Sequence, residues 1–323
     1  MENDIREILK PVDGYIQKVE ESIRRKISSG IPLIDEGALH LFKRGGKRIR
    51  AALVVLAGGI KGRPPDDIID IASACEIVHA ASLVHDDIID QSILRRGDLT
   101  VSRKWGEKIA VLIGDYMYTL ALNIAVNDSH SALFKIMVEG AKDMVMGELC
   151  QLQYSNIESI NRKRYYEIIE LKTARFMAVC AKMGAVKSDL SPDECTSLYN
   201  FGLNTGFAFQ IVDDTLDLVE NSDTIGKDTG NDFRDGKITL PFLFLMERDS
   251  GFHNLLRKFV SDPDPGRWDE IRLLLKDSGA IEESMDEAKK FVDKAVCMLE
   301  PFPDTENKKI LMELADFFIV RNY

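Results

Sequence analysis

Helical periodicity runs through almost the whole chain. Apolar residues recur three and four apart from end to end, and no stretch sustains the alternation of a half-buried strand. That pattern confines the 323 residues to an all-α fold. It predicts helices at about 2–29, 35–44, 47–60, 66–90, 107–126, 129–154, 162–187, 192–219, 237–247, 266–277, 280–300 and 304–321. Breakers stand between them. Arg63-Pro64-Pro65-Asp66 opens one helix with prolines and an acidic first turn. Ser191-Pro192-Asp193-Glu194 opens another with a serine cap and proline in the first turn. Glu220 to Gly236 is rich in Gly, Asp, Asn and Thr and longer than the usual loop within a domain, which marks it as a functional loop. No linker or charge block divides the chain, so one domain over 1–323 is expected.

Charge narrows the function. Lys plus Arg is 42 and Asp plus Glu is 53, a net charge of −11, which argues against a general nucleic-acid binder. An anionic substrate stays possible, because a local basic pocket can sit in an acidic protein. The five cysteines, Cys75, Cys150, Cys180, Cys195 and Cys297, are scattered without a CxxC pair, which fits a reducing cytoplasm. No apolar run reaches the roughly 20 residues that span a bilayer, so a membrane-spanning chain is not expected. The N-terminus resembles neither a signal peptide nor an Arg-rich transit peptide.

One short motif occurs twice. Asp86-Asp87-Ile88-Ile89-Asp90 and Asp213-Asp214-Thr215-Leu216-Asp217 both read DDxxD, and each ends a largely apolar run. Positions four apart differ by about 40° around a helix, so Asp86 and Asp90 point the same way, as do Asp213 and Asp217. Like charges at this spacing destabilise an isolated helix by a few tenths of a kcal/mol, roughly. Beside a core they cost more unless a cation neutralises them. Hard oxygen donors with few His or Cys nearby point to Mg²⁺ shared with substrate phosphates.

Basic residues accompany the carboxylates. Gly45-Gly46-Lys47-Arg48-Ile49-Arg50 lies at a helix start, where Lys47 and Arg50, three apart, are expected to share a face and add to the anion preference of a helix N-terminus. Leu94-Arg95-Arg96-Gly97 follows the first cluster, and arginine suits bidentate phosphate contact. Lys172-Thr173 lies in a helix mostly apolar from Tyr165 to Val179. A core-facing lysine there needs an anion, although a snorkelling surface lysine is the commoner arrangement. Lys227 and Lys237 flank the loop after the second cluster and are placed to close over a diphosphate. His79, Ser82, Asp86 and Asp90 form one helical stripe that favours a substrate contact for His79, whereas His85 lies off it.

Together these residues resemble the trans-isoprenyl diphosphate synthases, of the medium- and long-chain type that makes heptaprenyl and octaprenyl diphosphates. The resemblance runs over about residues 40–321. It rests on GGKRIR (Gly45 to Arg50), HxxxxxxDDxxD (His79 to Asp90), LRRG (Leu94 to Gly97), GD (Gly114, Asp115), KTA (Lys172 to Ala174), FQxxDDxxD (Phe209 to Asp217) and GKD (Gly226 to Asp228). It implies a single-domain antiparallel helical bundle around a deep apolar cavity, usually a homodimer. It implies head-to-tail condensation of an allylic diphosphate, farnesyl or geranylgeranyl, with isopentenyl diphosphate. It implies that Asp86, Asp87, Asp90, Asp213, Asp214 and Asp217 hold Mg²⁺, three ions with substrate bound. Arg95, Lys172, Thr173, Gln210, Lys227 and Lys237 match positions that contact the allylic diphosphate, and Lys47, Arg50, His79 and Arg96 match positions that bind isopentenyl diphosphate. Asp86, Asp90, Asp213, Lys172 and Thr173 are the expected catalytic set. The chain departs from the family at Ala51, where relatives usually have proline, and in a C-terminus whose last four residues hold only Arg321 as a basic residue.

Product length is read from the residues one turn before Asp86. Ala81 and Ser82 are small, and below them Val78, Cys75 and Ala74 include no aromatic. Ile71 is the first larger side chain, roughly 16 Å below Ser82 at about 1.5 Å per residue. A C30–C45 product, suited to a respiratory quinone side chain, is therefore expected over farnesyl or geranylgeranyl diphosphate. Met117, Tyr118, Met144 and Met146 are candidates for a floor supplied by other helices. A class I terpene cyclase would lack the second DDxxD, and a non-catalytic subunit of a heteromeric synthase tends to lose aspartates that are complete here.

Overall fold

Proline and glycine decide where the helices start, more finely than periodicity does. The structure, a computed structural model, describes residues 2–43, 45–219, 233, 236–262 and 264–320. These are helical almost throughout, and their contacts group into two units. One comprises Met1–Lys142, Met177–Gly202 and Met298–Leu314; the other comprises Asp143–Phe176, Leu203–Cys297 and Ala315–Tyr323.

In the first unit, α1 (Glu2–Ile8) and α2 (Asp13–Ile27) replace the single helix expected over 2–29. Pro11 sits between them in a 3₁₀ turn, because proline has no N–H to donate and crowds the preceding turn. α3 (Pro32–His40) begins on a proline at its first turn. In α4 (Ile49–Gly58) every residue but Arg50 is buried, and α5 (Ile68–Ile89) buries most of its circumference from Ile68 to Ala81. Helices apolar all round belong in a core. α5 packs against α2, α4 and α7 (Glu107–Val126). α4 also meets α10 (Arg175–Lys187) backbone to backbone: a Cβ on Gly184 would lie 2.1 Å from the Val54 carbonyl oxygen. The fully buried Leu53, Val54, Val55 and Leu56 hold α4 in the core on all sides, at about 1.5–3 kcal/mol each as an upper figure.

The prolines at 64 and 65 stand before α5 rather than in its first turn, and Asp67 at the cap makes no capping bond. Its carboxylate goes instead to Lys187 Nζ at 2.6 Å, which also holds Asp128 at 2.8 Å. His130 joins Asp128 to Asp189. After α5, β1 (Leu94–Arg95) pairs antiparallel with β2 (Asp98–Leu99), a hairpin that helical periodicity does not predict. Arg96 (φ 52°) and Gly97 (φ 78°) are both left-handed, as a two-residue type I′ turn demands. Thr100 caps α6 (Val101–Trp105). α8 (Ala132–Tyr154) and α11 (Pro192–Val219) follow the expected spans closely. Ser191 and Glu194 bond reciprocally at the start of α11: the Ser191 N–H donates to Glu194 Oε2 at 3.0 Å and the Glu194 N–H to Ser191 Oγ at 3.4 Å.

Among the described residues α5 and α7 are long and apolar enough to cross a bilayer, contrary to the expectation that no run reaches that length. The α5 stretch is 72% buried and that of α7 33%, with Val111, Leu112 and Val126 of α7 exposed.

The second unit holds α9 (Arg162–Ile169), a π turn (Glu170–Ala174), α12 (Leu240–Arg248), α13 (Ser250–Ser261), α14 (Pro265–Asp277) and α15 (Ala280–Cys297); the last helix of the chain is α16 (Glu306–Val320). α13 is absent from the sequence-based expectation. It is short and flanked by breakers, yet Phe252, Leu256 and Phe259 recur on its buried face. α12 packs against α9, α13, α14 and α15. Phe233 stacks on Phe242 at 4.7 Å and on Trp268 at 5.6 Å between ring centroids.

Replacing Lys187 by Met should lower stability by about 3 kcal/mol, because it removes the charge partner of the Asp128 carboxylate and leaves it only His130 as donor. Denaturant unfolding measures this; a loss below about 1 kcal/mol would show that the cluster is solvated.

Candidate active site

Each aspartate motif is divided in the same way by the helix that carries it. In the first unit, Asp90 terminates α5, its N–H donating to the Asp86 carbonyl at 2.8 Å. Asp86 and Asp90 are thus one turn apart and both partly open to solvent. Asp87, between them, is 2% exposed. The type I′ turn brings Arg95 onto it, Nε lying 2.8 and 2.9 Å from the two carboxylate oxygens. Burial pushes the Asp87 carboxyl above its ordinary value, against the pull of Arg95. In the second unit, Asp213 is exposed, Asp217 is half-buried and Asp214 is buried. Asp214 accepts from the Tyr165 hydroxyl at 2.6 Å and from Gln210 Nε2 at 2.7 Å. The sequence treats the three aspartates of a motif alike. The structure instead gives the middle one protein donors and leaves the outer two accessible.

Lys172 and Thr173 lie on the π turn, where the Arg175 N–H reaches the Glu170 carbonyl five residues back. Two glycines admit that backbone. A Cβ on Gly147 of α8 would lie 2.5 Å from the Lys172 nitrogen, and one on Gly206 of α11 would lie 2.5 Å from Ala174 Cα. The anion that Lys172 needs is Glu148, a nearly buried carboxylate with which it forms an ion pair, and Gln151 Oε1 lies 3.3 Å away. Thr173 donates to Gln210 Oε1 at 2.7 Å. A pocket of about 110 Å³ is lined by Tyr165, Lys172, Thr173, Gln210, Asp214 and Lys237, among others. Lys227 lies outside the described residues.

A basic nest forms in the first unit around Gly45-Gly46. α4 begins only at Ile49, so Lys47 precedes the helix and does not share a helical face with Arg50, contrary to the expectation from spacing. The reason is Arg48, which is left-handed (φ 47°), buried, and bonded through Nε to Glu20 at 2.9 Å. Arg96 Nη1 donates to the Gly45 carbonyl at 2.7 Å, and a Cβ on Gly46 would lie 2.8 Å from that nitrogen. Arg50 Nε and His79 Nδ1 are buried without a hydrogen-bond partner. Burial, and then the positive charges of Arg50, Arg95, Arg96 and Arg48, hold the His79 imidazole well below its usual range, so it is neutral at pH 7. Buried donors lacking acceptors beside guanidinium groups suit an anion. Glu76, which accepts from the Ala51 N–H at 3.1 Å, was not singled out by motif, although it stands one turn before His79.

His85 is held apart from this chemistry. Its Nε2 lies 3.3 Å from the Val111 carbonyl and 3.5 Å from Asp115, in space that a Cβ on Gly114 would fill. Ala81 is buried, and the Ser82 hydroxyl turns back onto the His79 carbonyl at 2.9 Å. Cys75 Sγ packs 3.7 Å from Met183 Sδ. Of the possible floor residues, Met117 and Met144 are buried, Tyr118 half-buried and Met146 exposed.

The donor set fits a hard divalent cation: accessible paired carboxylates with no thiol or imidazole among them. Among the described residues no three His, Cys, Asp or Glu side chains converge as a closed metal site. The family model for polyprenyl synthetase matches residues 31–276. The chain belongs to the polyprenyl synthetase family. It is 33% identical to octaprenyl diphosphate synthase of Haemophilus influenzae over 321 residues, 99% of this chain and 98% of that one. Its fold is similar to the crystal structure of a polyprenyl synthase from Caulobacter crescentus CB15 complexed with calcium and isoprenyl diphosphate (TM-score 0.91, 32% identity, 99% of this chain and 98% of that one). It is likewise similar to a decaprenyl diphosphate synthase from Rhodobacter capsulatus (TM-score 0.92, 29% identity, 98% and 99%). The polyprenyl synthetases are prenyl-transferring enzymes, and this member of the family is all-α.

Gly206→Ala should cut turnover at least tenfold, since the added methyl displaces the π turn by overpacking that costs roughly 1–3 kcal/mol. Steady-state rates beside melting curves test this; wild-type turnover would mean that the turn tolerates movement.

Proposed function

We propose that this chain is a Mg²⁺-dependent trans-prenyltransferase that adds isopentenyl diphosphate head-to-tail to farnesyl or geranylgeranyl diphosphate, ending at C30–C45. The observation that carries the reading is the sorting of both DDxxD motifs into accessible outer pairs and buried middle residues. Asp86 and Asp90, and Asp213 and Asp217, would hold Mg²⁺, with coordination completed by phosphate oxygens, and three ions are proposed with substrate bound. When bound, the cation neutralises the diphosphate and makes it a better leaving group.

The chain's own residues do the rest. Lys172, Lys237 and Lys227 supply positive charge to the allylic diphosphate, as does Arg95 where it is not committed to Asp87. The C1–O bond breaks with its electron pair leaving on the diphosphate, and C1 becomes an allylic cation. Lys47, Arg50, Arg96 and neutral His79 orient isopentenyl diphosphate so that its double bond attacks C1. A proton is then lost, with the departed diphosphate as base. Apolar walls keep water from the cation.

The small Ala81 and Ser82 support a path for the growing chain beside α5, and farther along that helix Cys75 packs against Met183. The exposed apolar side of α7 supports a homodimer, since a second copy would cover Val111, Leu112 and Val126. Five free cysteines are compatible with a cytoplasmic enzyme, and a quinone side chain is the proposed use of the product.

Incubation with farnesyl diphosphate, labelled isopentenyl diphosphate and Mg²⁺, followed by sizing of the dephosphorylated products, tests the reading. A ladder ending at C30–C45 is expected. A C20 end point would keep the reaction and refute the length, and absence of elongation with any primer would refute the reaction. Asp86→Ala should lower turnover at least a thousandfold with an unchanged circular dichroism spectrum, about 4 kcal/mol of transition-state stabilisation. Ala81→Tyr should shorten the product, and an unchanged ladder would refute the path beside α5.

A further inference from the structure

Glu76 belongs to none of the sequence motifs, yet it stands inside the basic nest of the first unit. It is 4% exposed on α5, one turn before His79. Its Oε1 accepts the Ala51 N–H at 3.1 Å. That amide joins Ala51 to Arg50 and is one of the first amides of α4, which have no acceptor within the helix; the first helical bond runs from the Ala52 N–H to the Arg48 carbonyl. The bond to Glu76 exists because residue 51 is alanine, since proline has no N–H to donate. The other oxygen, Oε2, lies 3.9 Å from Arg48 Nη1. Glu20 holds Arg48 Nε from α2, so carboxylates on two helices face this guanidinium.

Negative charge is needed there. A Cβ on Gly46 would lie 2.8 Å from Arg96 Nη1 and 3.1 Å from Arg48 Nη1, so two guanidinium groups converge on one glycine. Burial lowers the Arg50 guanidinium from its ordinary value; the Glu76 charge is the strongest pull back upward, and Arg96 pushes down. Arg48 Nη2, Arg50 Nε and His79 Nδ1 are buried without hydrogen-bond partners. An anion entering the nest meets these nitrogens. Glu76 repels such an anion and acts on it only through the cations between them.

We propose that Glu76 is a positioning residue for isopentenyl diphosphate: tethered by the Ala51 amide, it is the fixed counter-charge that holds Arg50 in place for the diphosphate. The inference rests on the proposed prenyl transfer and deepens it. Isopentenyl diphosphate keeps its own diphosphate throughout that reaction, so a contact to it is as strong before the condensation as during it. Losing the placement of Arg50 therefore weakens binding and leaves the chemical step alone.

The test is steady-state kinetics with each substrate varied while the other saturates. Glu76→Gln keeps the shape, leaves a carbonyl for the Ala51 N–H and removes the charge. It should raise the KM for isopentenyl diphosphate about tenfold, with kcat and the KM for farnesyl diphosphate within about twofold of wild type. Because Glu76 acts through Arg50, Glu76→Gln should raise the isopentenyl diphosphate KM no more than about twofold further in an Arg50→Gln background. An unchanged KM for isopentenyl diphosphate, a fall confined to kcat, losses that multiply in the double variant, or both KM values raised with a lowered melting temperature would overturn the inference. If Glu76→Gln does not accumulate as folded protein, Ala51→Pro decides. It removes the tether alone, at a first-turn position that accepts proline, and should raise the KM for isopentenyl diphosphate about threefold; a wild-type value overturns the inference. An inactive wild type overturns the prenyl-transfer reading and this inference with it; an active wild type with an indifferent Glu76→Gln overturns the inference alone.

Discussion

A carboxylate taken out of water must be answered by donors, and the two middle aspartates impose that demand on everything built around them. Asp87 requires Arg95, and Arg95 can reach it because Arg96 and Gly97 turn the chain in two left-handed residues. Asp214 requires Tyr165 and Gln210, and Gln210 in turn engages Thr173 on the π turn. Pinning the middle residue of each motif inward turns its outer neighbours to one side, because the residue one before it stands about 100° away around the helix and the residue three after it about 60° away in the same sense. The accessible pairs are therefore a by-product of buried ones.

Close backbone approach is the second device. The π turn would be an irregularity of no use if its neighbours had side chains in the way. Gly147 and Gly206 remove them, and the turn is gripped from two helices without a gap. Gly184 does the same for α4 and α10, and Gly46 clears room for the Arg96 guanidinium. Close packing of this kind transmits small displacements instead of absorbing them, which suits groups whose chemistry depends on tenths of an ångström.

Much of this was legible in the chain. Periodicity located most helices, and the repeated DDxxD located both motif helices, because four-residue spacing is a property of the helix itself. What spacing does not carry is which side of the helix is buried, so Asp87 and Asp214 were indistinguishable from their neighbours. Tyr165 lies 49 positions from Asp214, and only the fold joins them; its place seven residues before Lys172, two helical turns away, was the available clue. Glu148, the partner of Lys172, is likewise remote in sequence. The left-handed Arg48 contradicts the local helical pattern because burial against Glu20 outweighs propensity. Pro11 is the opposite case, a visible breaker inside a stretch whose pattern was otherwise continuous.

The exposed apolar side of α7 carries a thermodynamic consequence. Leu112 is 67% exposed and Val126 54%. Under the proposed dimer, folding and association become a single equilibrium governed by mass action. The melting temperature then climbs with protein concentration, and dilution alone weakens the fold. The amount of enzyme in a cell would set not only how fast prenyl chains are made but how long each folded copy survives.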